Sequence, residues 1–226
     1  MVFASTVEIT RGGDIAPQTK HSAPDAAETP VSEAMTFSIP APIASVRANI
    51  KEFEEDSINK LLTRYDGVDV LPNGWREGPC SKGIQVVYGE VTGSEWYTMK
   101  TTGTLQVSAE KAASILMDYN MVPKFDDMTR EVKPVEKLSD ASEDGRHLIA
   151  TRSVEYVPER KGFVRATIII SGYVVVPHPT DPNMCEMSVI AHMDLGGNLP
   201  AMVVRYLGLS APIKLVEKIH EITLSS

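Results

Sequence analysis

MSVIAHMDLGGNLPAMVVRYL, residues 187–207, is the stretch of the sequence that decides the fold. Its first part, up to Leu195, is dominated by apolar residues and predicts a buried strand. Gly196 and Gly197 interrupt that pattern with turn chemistry. Asn198 can then cap a helix that carries Pro200 in its first turn, where the missing N–H is tolerated. The stretch therefore predicts a strand, a glycine turn and a C-terminal helix.

The predicted C-terminal helix covers residues 198–222. Val203, Leu207, Val216 and Ile219 give it a continuous apolar face, which has to pack against the rest of the domain. Pro212 lies inside this pattern and predicts a kink, because proline removes a helical hydrogen bond.

The sequence upstream predicts an antiparallel sheet. Residues 45–65 have apolar side chains at helical spacing and end at Asp66-Gly67, and Ser108 can cap a short helix over residues 109–117. Strand patterns follow one another along the chain with turn residues between them. They cover residues 84–91, 95–107, 131–138, 147–157, 163–176 and 187–195. The fold class predicted is α+β, with a sheet curling round the terminal helix.

Residues 1–42 differ in composition from the rest of the chain. They are rich in Ala, Ser, Thr and Pro, and they contain few large apolar side chains to offset the entropy of ordering. We expect a disordered tail over residues 1–42 and one folded domain over residues 43–226.

Charge and cysteine content exclude several classes of protein. The formal net charge of -8 argues against sequence-independent binding to nucleic acid, which needs a basic field. The first residues lack the basic and apolar regions of a secretory signal, so we expect a cytoplasmic protein. Cys80 and Cys185 are far apart and offer neither a disulfide framework nor zinc spacing. The five histidines show no metal-binding spacing, and we expect no metal and no cofactor.

Five segments in order resemble one known family, the START (steroidogenic acute regulatory protein-related lipid-transfer) domains. They are Gly74-Trp75, VVYGEV with WYTMKTTGTLQVSAEKAASILMD, VPKFDDMTREVKPVEKL, RKGFVRATIIISGYVVVPHP, and MSVIAHMDLGGNLPAMVVRYL. The last is similar to the family's strand, Asp-x-Gly-x-hydrophobic-Pro turn and closing helix. The resemblance runs from about Phe53 to Ile219.

The resemblance implies a helix-grip fold, in which a curved antiparallel sheet wraps around a long C-terminal helix and encloses a tunnel for one lipid. One departure concerns residues 139–153, which are only fifteen in number where the family has additional strands and a gating loop. About one hairpin is missing, and since a hairpin is an even number of strands, antiparallel alternation can survive. The C-terminal helix and its Gly196-Gly197 hinge would then supply most of the closure.

Polar residues on inward faces are the candidates for contact with a lipid headgroup. Arg165 corresponds to a strand arginine of the family and either anchors a headgroup or forms a structural ion pair with Glu155 or Asp194. His192 and Asp194 are two apart and share a strand face, which is either a polar spot in the pocket or a solvated face.

Apolar and aromatic candidates complete the predicted site. Tyr97 and Met99 share one strand face, and Trp96 and Thr98 share the other. The alternation of side chains along a strand does not by itself decide which of the two pairs lines the interior. On the closing helix the candidates for contact with the lipid tail are Met202, Val203 and Leu207.

The function predicted is noncovalent binding of a sterol, phospholipid or sphingolipid, with transfer between membranes by a monomer that contacts them transiently. No nucleophile elbow accompanies His192 and Asp194, so we do not expect an enzyme. Two alternatives stay open at this point. One is a lipid sensor or protein-interaction module with a reduced pocket, and the other is an enzyme on the same scaffold.

Overall fold

The computed structural model describes residues 2–5, 7–10, 37–126, 141–143, 145–155, 163–196 and 210–225. Within these residues the helices are α1 (Ile43–Ala48), α2 (Ile50–Asp66), α3 (Ala109–Met117), α4 (Val122–Phe125) and α5 (Ala211–Ser225). The strands are β1 (Val2–Ser5), β2 (Val7–Thr10), β3 (Ala41–Pro42), β4 (Arg76–Ser81), β5 (Ile84–Gly89), β6 (Thr98–Leu105), β7 (Ala141–Glu143), β8 (Arg146–Glu155), β9 (Phe163–Pro177) and β10 (Cys185–Asp194).

One unclosed sheet organises these elements. Its strands follow the order β1-β8-β9-β10-β6-β5-β4, and β2, β3 and β7 pair beside that path. The long strands β8, β9, β10, β6, β5 and β4 are antiparallel to their neighbours, whereas β1 and β3 pair parallel to β8. The predicted α+β class with an antiparallel sheet is confirmed.

Both faces of the sheet are covered by helices. Successive side chains of a strand point to opposite faces, and on β10 Ile190 packs in a cluster with Phe53 and Leu61 of α2. Its neighbour Val189 packs in a second cluster with α3 and with Val216 of α5. We call these two sides of the sheet the α2 face and the α5 face.

The core on the α2 face includes residues ahead of the predicted domain boundary at residue 43. Phe37 is buried and meets Phe53 edge to face, with ring centroids 5.2 Å apart. Ala41 is buried in the same cluster. Nearer the start of the chain, β1 pairs with β8 and β2 pairs with β9, within the segment that composition assigns to a disordered tail. Residues 11–36 lie outside the described residues.

Local signals in the sequence correspond closely to the ends of the helices. Ser108 Oγ accepts a hydrogen bond from Lys111 N at 3.3 Å, as expected of a cap. α2 ends at Asp66, and Gly67 follows in the left-handed region with φ of 76°. The single helix expected over residues 45–65 is interrupted at Asn49, which separates α1 from α2. Pro212 lies in the first turn of α5, since that helix begins at Ala211.

The strand predictions were less complete. The strand expected over residues 95–107 is shorter, because β6 begins at Thr98 and leaves Trp96 and Tyr97 in the preceding loop. β4 was not predicted, and the strand expected at residues 131–138 lies outside the described residues.

Antiparallel pairing persists across the region of the predicted missing hairpin. β7 and β8 are joined through a turn at Gly145, and β8 pairs antiparallel with β9. The other edge of β8 pairs in succession with β7, β1 and β3, so its backbone donors and acceptors have partners along most of its length.

Gly172 is required where β9 approaches β8. A Cβ atom at this position would lie 2.0 Å from the backbone oxygen of Ile149, and a backbone atom cannot move aside as a flexible side chain can. We expect Gly172→Ala to lower the free energy of unfolding by about 2–4 kcal/mol, since β8 and β9 would have to separate locally. Urea denaturation measures the change.

The matched control is Ser171→Ala, one position earlier on the same strand. It removes the hydrogen bond from Ser171 Oγ to the Ile190 oxygen, of 2.9 Å, and should cost about 1 kcal/mol. Equal losses in the two variants would contradict the steric role of Gly172.

Candidate functional site

A row of half-buried side chains crosses the α5 face of the sheet. Thr151 of β8 is opposite Ser171 of β9, which is opposite Ala191 of β10. Ala191 is in turn opposite Met99 of β6, and Met99 is opposite Tyr88 of β5. All five side chains are only partly buried. We call these five residues the central row.

The side chains next to the central row on the same face are packed tightly. Val189, Thr101 and Val86 form the adjacent row on β10, β6 and β5, and all three are buried. One step further, Val216 of α5 fills the space over Gly103, since a Cβ atom there would lie 3.0 Å from Val216 Cγ1. The central row therefore borders the packed core and has accessible surface of its own.

Tyr173 is opposite Val189 in the adjacent row, but unlike Val189 it is only partly buried. It packs against the cluster around α3 and α5, and burial raises the pKa of its phenol, with the Asp126 carboxylate raising it further. Part of the side chain nevertheless stays accessible. Tyr173 therefore contacts the packed cluster and also has accessible surface, as the central row does.

The α2 face carries a network of buried polar groups instead. His192 is 1 % exposed, and its Nδ1 atom lies 3.3 Å from Nε of Arg64 on α2. An arginine only donates, so Nδ1 accepts, and the proton of the neutral ring is on Nε2. Nε2 donates to Ser94 Oγ at 2.9 Å, which fastens the loop between β5 and β6 to the sheet.

Burial and the adjacent cation keep His192 uncharged. Burial is the larger cause and the Arg64 guanidinium the next, and together they lower the pKa of His192 to about 4. Burial also lowers the pKa of Arg64 to about 10, and Arg64 forms an ion pair with Asp69.

Two further cations are held on the α2 face. Arg152 is 1 % exposed, and its Nη1 atom contacts Asp56 Oδ2 at 2.5 Å while the guanidinium lies 4.9 Å from the centre of the Phe53 ring. Lys100 Nζ donates to the Tyr65 carbonyl oxygen at 3.0 Å and lies over the rings of Tyr65 and Trp75. These contacts attach α2 to the sheet and neutralise charge that would be costly to bury alone.

The residues predicted for the site are divided between several places. Met99 belongs to the central row. His192 is on the α2 face, so the expected polar spot of His192 and Asp194 is not on the same side of the sheet as Met99. Asp194 Oδ1 accepts from Gly196 N at 2.8 Å and holds Gly196, whose φ is 63°, in its turn.

Tyr97, in the loop before β6, contacts one member of the central row, whereas Arg165 precedes Ser171 of that row by six residues along β9. Tyr97 is 48 % exposed, meets Tyr88 edge to face, and lines a surface groove of about 350 Å³ beside Leu71 and Trp96. Arg165 is half-buried on β9, beyond the register shift at His192/Met193. Gly197, Met202, Val203 and Leu207 lie outside the described residues.

Sequence reasoning missed Thr151, Ser171, Ala191, Tyr88 and Tyr173. Their strands were predicted, and period two places Ser171 and Tyr173 on one face of β9. No pattern in the sequence shows that this face is the partly accessible one, because that depends on which helix covers it.

Two other structural properties bear on function. Among the described residues, no three His, Cys, Asp or Glu side chains are grouped so that they could hold a metal ion. Within the same residues, no helix combines the length and apolar character needed to span a membrane.

The sequence and the fold were compared with those of known proteins. The family model for the START domain matches residues 140–220. No curated protein sequence matches the chain significantly. The predicted resemblance to the START family is thus confirmed by the family model and by the solved structures that share the fold.

Three solved structures illustrate the similarity. Human StAR-related lipid transfer protein 5 is 15 % identical, with a TM-score of 0.66 over 78 % of this chain and 98 % of its own. Human STARD10 is 21 % identical, with a TM-score of 0.60 over 72 % of this chain and 78 % of its own. A STAR-related lipid transfer protein from Xanthomonas axonopodis is 16 % identical, with a TM-score of 0.56 over 67 % of this chain and 99 % of its own. At these identities the likeness establishes the fold, and the predicted helix-grip architecture is confirmed.

The depressed pKa of His192 makes the stability of the protein depend on pH. In the unfolded chain a histidine binds a proton near pH 6.5, whereas folded His192 does so only near pH 4. Between these values the unfolded state binds more protons, so we expect the free energy of unfolding to fall by about 3 kcal/mol as the pH drops from 6.5 to 4. Urea denaturation at several pH values measures this loss.

Replacing the histidine isolates its contribution. His192→Gln should be less stable than wild type at pH 7.5 but should show a flatter decline below pH 6.5. His220→Gln, on a half-buried position of α5, serves as the control and should decline like wild type. A His192→Gln profile parallel to that of wild type would rule out His192 as the source of the pH dependence.

Proposed function

We propose that this chain binds one lipid against the α5 face of the sheet and carries it between membranes. The observation that supports the proposal is the central row, which is partly accessible beside the buried row of Val189, Thr101 and Val86. Small-molecule sites are lined mainly by apolar side chains with a few polar groups, and the central row has that composition.

The chemistry of the central row suits a lipid. Met99, Ala191 and Tyr88 offer apolar contact, and methionine adapts to chains of variable shape. Thr151 and Ser171 add hydroxyls without charge. A lipid that buries about 300 Å² of apolar surface here would gain about 7 kcal/mol from leaving water, before the costs of association.

The comparisons agree with this assignment at the level of fold. The structures with the same fold include proteins named as lipid transfer proteins, from human and from Xanthomonas axonopodis. Function on a shared fold is decided by the site, so the central row carries the argument and the fold adds to it.

Entry of the lipid requires movement near the end of β10. Gly196 has a left-handed backbone and is held by Asp194, and we propose that this turn, with Gly197, is a hinge of the C-terminal segment. The net charge of -8 favours transient over permanent contact with anionic membranes, and we propose a cytoplasmic monomer.

Filling the central row tests the proposal. We expect Ala191→Phe to reduce lipid uptake at least 10-fold, because the ring would occupy the space on β10 that the lipid needs. Met99→Trp should also reduce lipid uptake at least 10-fold, because its larger side chain would fill the space next to β6. Native mass spectrometry of the purified proteins detects copurifying lipid, and a vesicle assay with fluorescent phospholipid and sterol measures transfer.

The control is the same alanine-to-phenylalanine substitution at a position away from the central row. Ala44→Phe adds the same ring on the exposed side of α1 and should leave uptake unchanged. Thermal unfolding shows whether the filled variants remain folded. If wild-type protein copurifies with no lipid and transfers none, the chain is instead an interaction module. If folded Ala191→Phe transfers lipid as fast as Ala44→Phe, the lipid binds elsewhere.

A further inference from the structure

The register of the sheet continues the central row onto strand β1, at the start of the chain. β1 pairs parallel with β8, and Phe3 is directly opposite Thr151, the member of the central row on β8. Among the strands that the structure describes, β1 ends the sheet order on this side. Position 3 therefore follows Thr151 in the row and lies at the edge of the sheet.

The neighbours of position 3 determine its face. Val2 is opposite Ala150, and Ala4 is opposite Arg152. Ala150 packs in the cluster with α2, and Arg152 forms an ion pair with that helix, so both belong to the α2 face. Since successive residues of a strand alternate between faces, the register assigns position 3 to the α5 face, together with Thr151.

The start of the chain is attached to the sheet twice. β2 follows β1 after one residue and pairs antiparallel with β9, where Val7 is opposite Ala166 and Thr10 is opposite Phe163. The backbone on either side of Thr6 is thus held by a different long strand. β1 therefore has a defined register, as a residue that belongs to a binding site requires.

Residues 2–10 also differ in composition from the residues that follow them. Six of these nine residues are Val, Phe, Ile or Thr, which are favoured in strands. Residues 11–36 instead contain Gly12 and Gly13 and three prolines. Edge strands commonly carry charge that blocks further pairing, but residues 2–5 carry none. An uncharged strand at this edge suits contact with an apolar ligand.

The extended row has the length of a lipid. It crosses the six strands β1, β8, β9, β10, β6 and β5, which are consecutive in the sheet. Neighbouring strands are about 4.8 Å apart, so the five spacings cover about 24 Å. An extended acyl chain of a phospholipid is comparable in length. A lipid lying along the whole row would reach from β5 to β1.

We propose that β1 forms the outer wall of the lipid site and that Phe3 contacts the bound lipid next to Thr151. The inference rests on the proposed function and adds to it a binding residue from the segment that composition assigns to a disordered tail. The first strand of the chain is then part of the site.

Photocrosslinking in the full chain tests which position contacts the lipid. The photoreactive residue p-benzoylphenylalanine replaces Phe3 in one protein and Val2 in another, and each protein is loaded with phosphatidylcholine or with cholesterol. We expect irradiation to give a protein–lipid adduct from position 3 and none from position 2, which the register assigns to the α2 face. Intact-mass spectrometry detects the adduct. Equal yields from the two positions, or no adduct from position 3 in protein that carries lipid, would overturn the inference.

Substitutions measure the contribution of the contact to affinity. Phe3→Ser should weaken binding of a fluorescent phospholipid or sterol about 5- to 10-fold, as expected for the loss of about 50 Å² of apolar contact. Val2→Ser is the matched control on the same strand and should bind both probes as wild type does. Thermal unfolding shows that both variants remain folded. Equal affinities of folded Phe3→Ser and Val2→Ser would contradict a contact at position 3, and the crosslinking result is independent of the stability of either variant.

The outcomes separate this inference from the proposed function. If folded wild-type protein binds neither probe, the lipid-binding function fails, and the inference fails with it. If wild type binds lipid and Ala191→Phe does not, but position 3 gives no adduct and Phe3→Ser binds normally, the central row is the lipid site and its extension onto β1 is wrong.

Discussion

The register of β10 between its two neighbours is the constraint on which the rest of the structure depends. Ala191 is opposite Ser171 on β9 and opposite Met99 on β6. Because side chains alternate, a slip of one residue would move His192 to the α5 face and Val189 to the α2 face. The slip would break the apolar contacts with α5 and also the hydrogen bond between His192 and Arg64 of α2. Other registers are therefore strongly unfavourable.

This register also sorts charge across the sheet. The buried cations Arg64 and Arg152, the half-buried Lys100 and the neutral His192 lie on the α2 face. Helix α2 and the turn after it supply partners for them. Among the described strand residues, the α5 face receives mainly apolar side chains, with a few hydroxyls and His147. One side of the sheet is thereby used to attach a helix through polar contacts, and the other retains a surface of low charge that an apolar molecule can contact.

Much of the fold could be predicted because its signals are local. Ser108 as a helix cap and Gly67 at the end of α2 act on their own turns, and both are found as expected. The site was predicted less well. Met99 lies in the central row, whereas His192, which was assigned by its polarity and by its spacing from Asp194, lies on the α2 face. Spacing along one strand shows which residues share a face but does not show what covers that face.

The sequence by itself determined the α+β class, the strands around Gly172 and Val189, and the likeness to START domains, because these follow from periodicity, turn chemistry and ordered motifs within short segments. Only the tertiary structure decided that Thr151, Ser171, Ala191 and Met99 form one row, since they come from four strands separated by up to 92 positions along the chain. It also decided that His192 faces α2 and Tyr173 faces the interior. The physical reason is that cross-strand register and helix placement are non-local: they are set by the simultaneous burial of both faces of the sheet, which no single segment encodes.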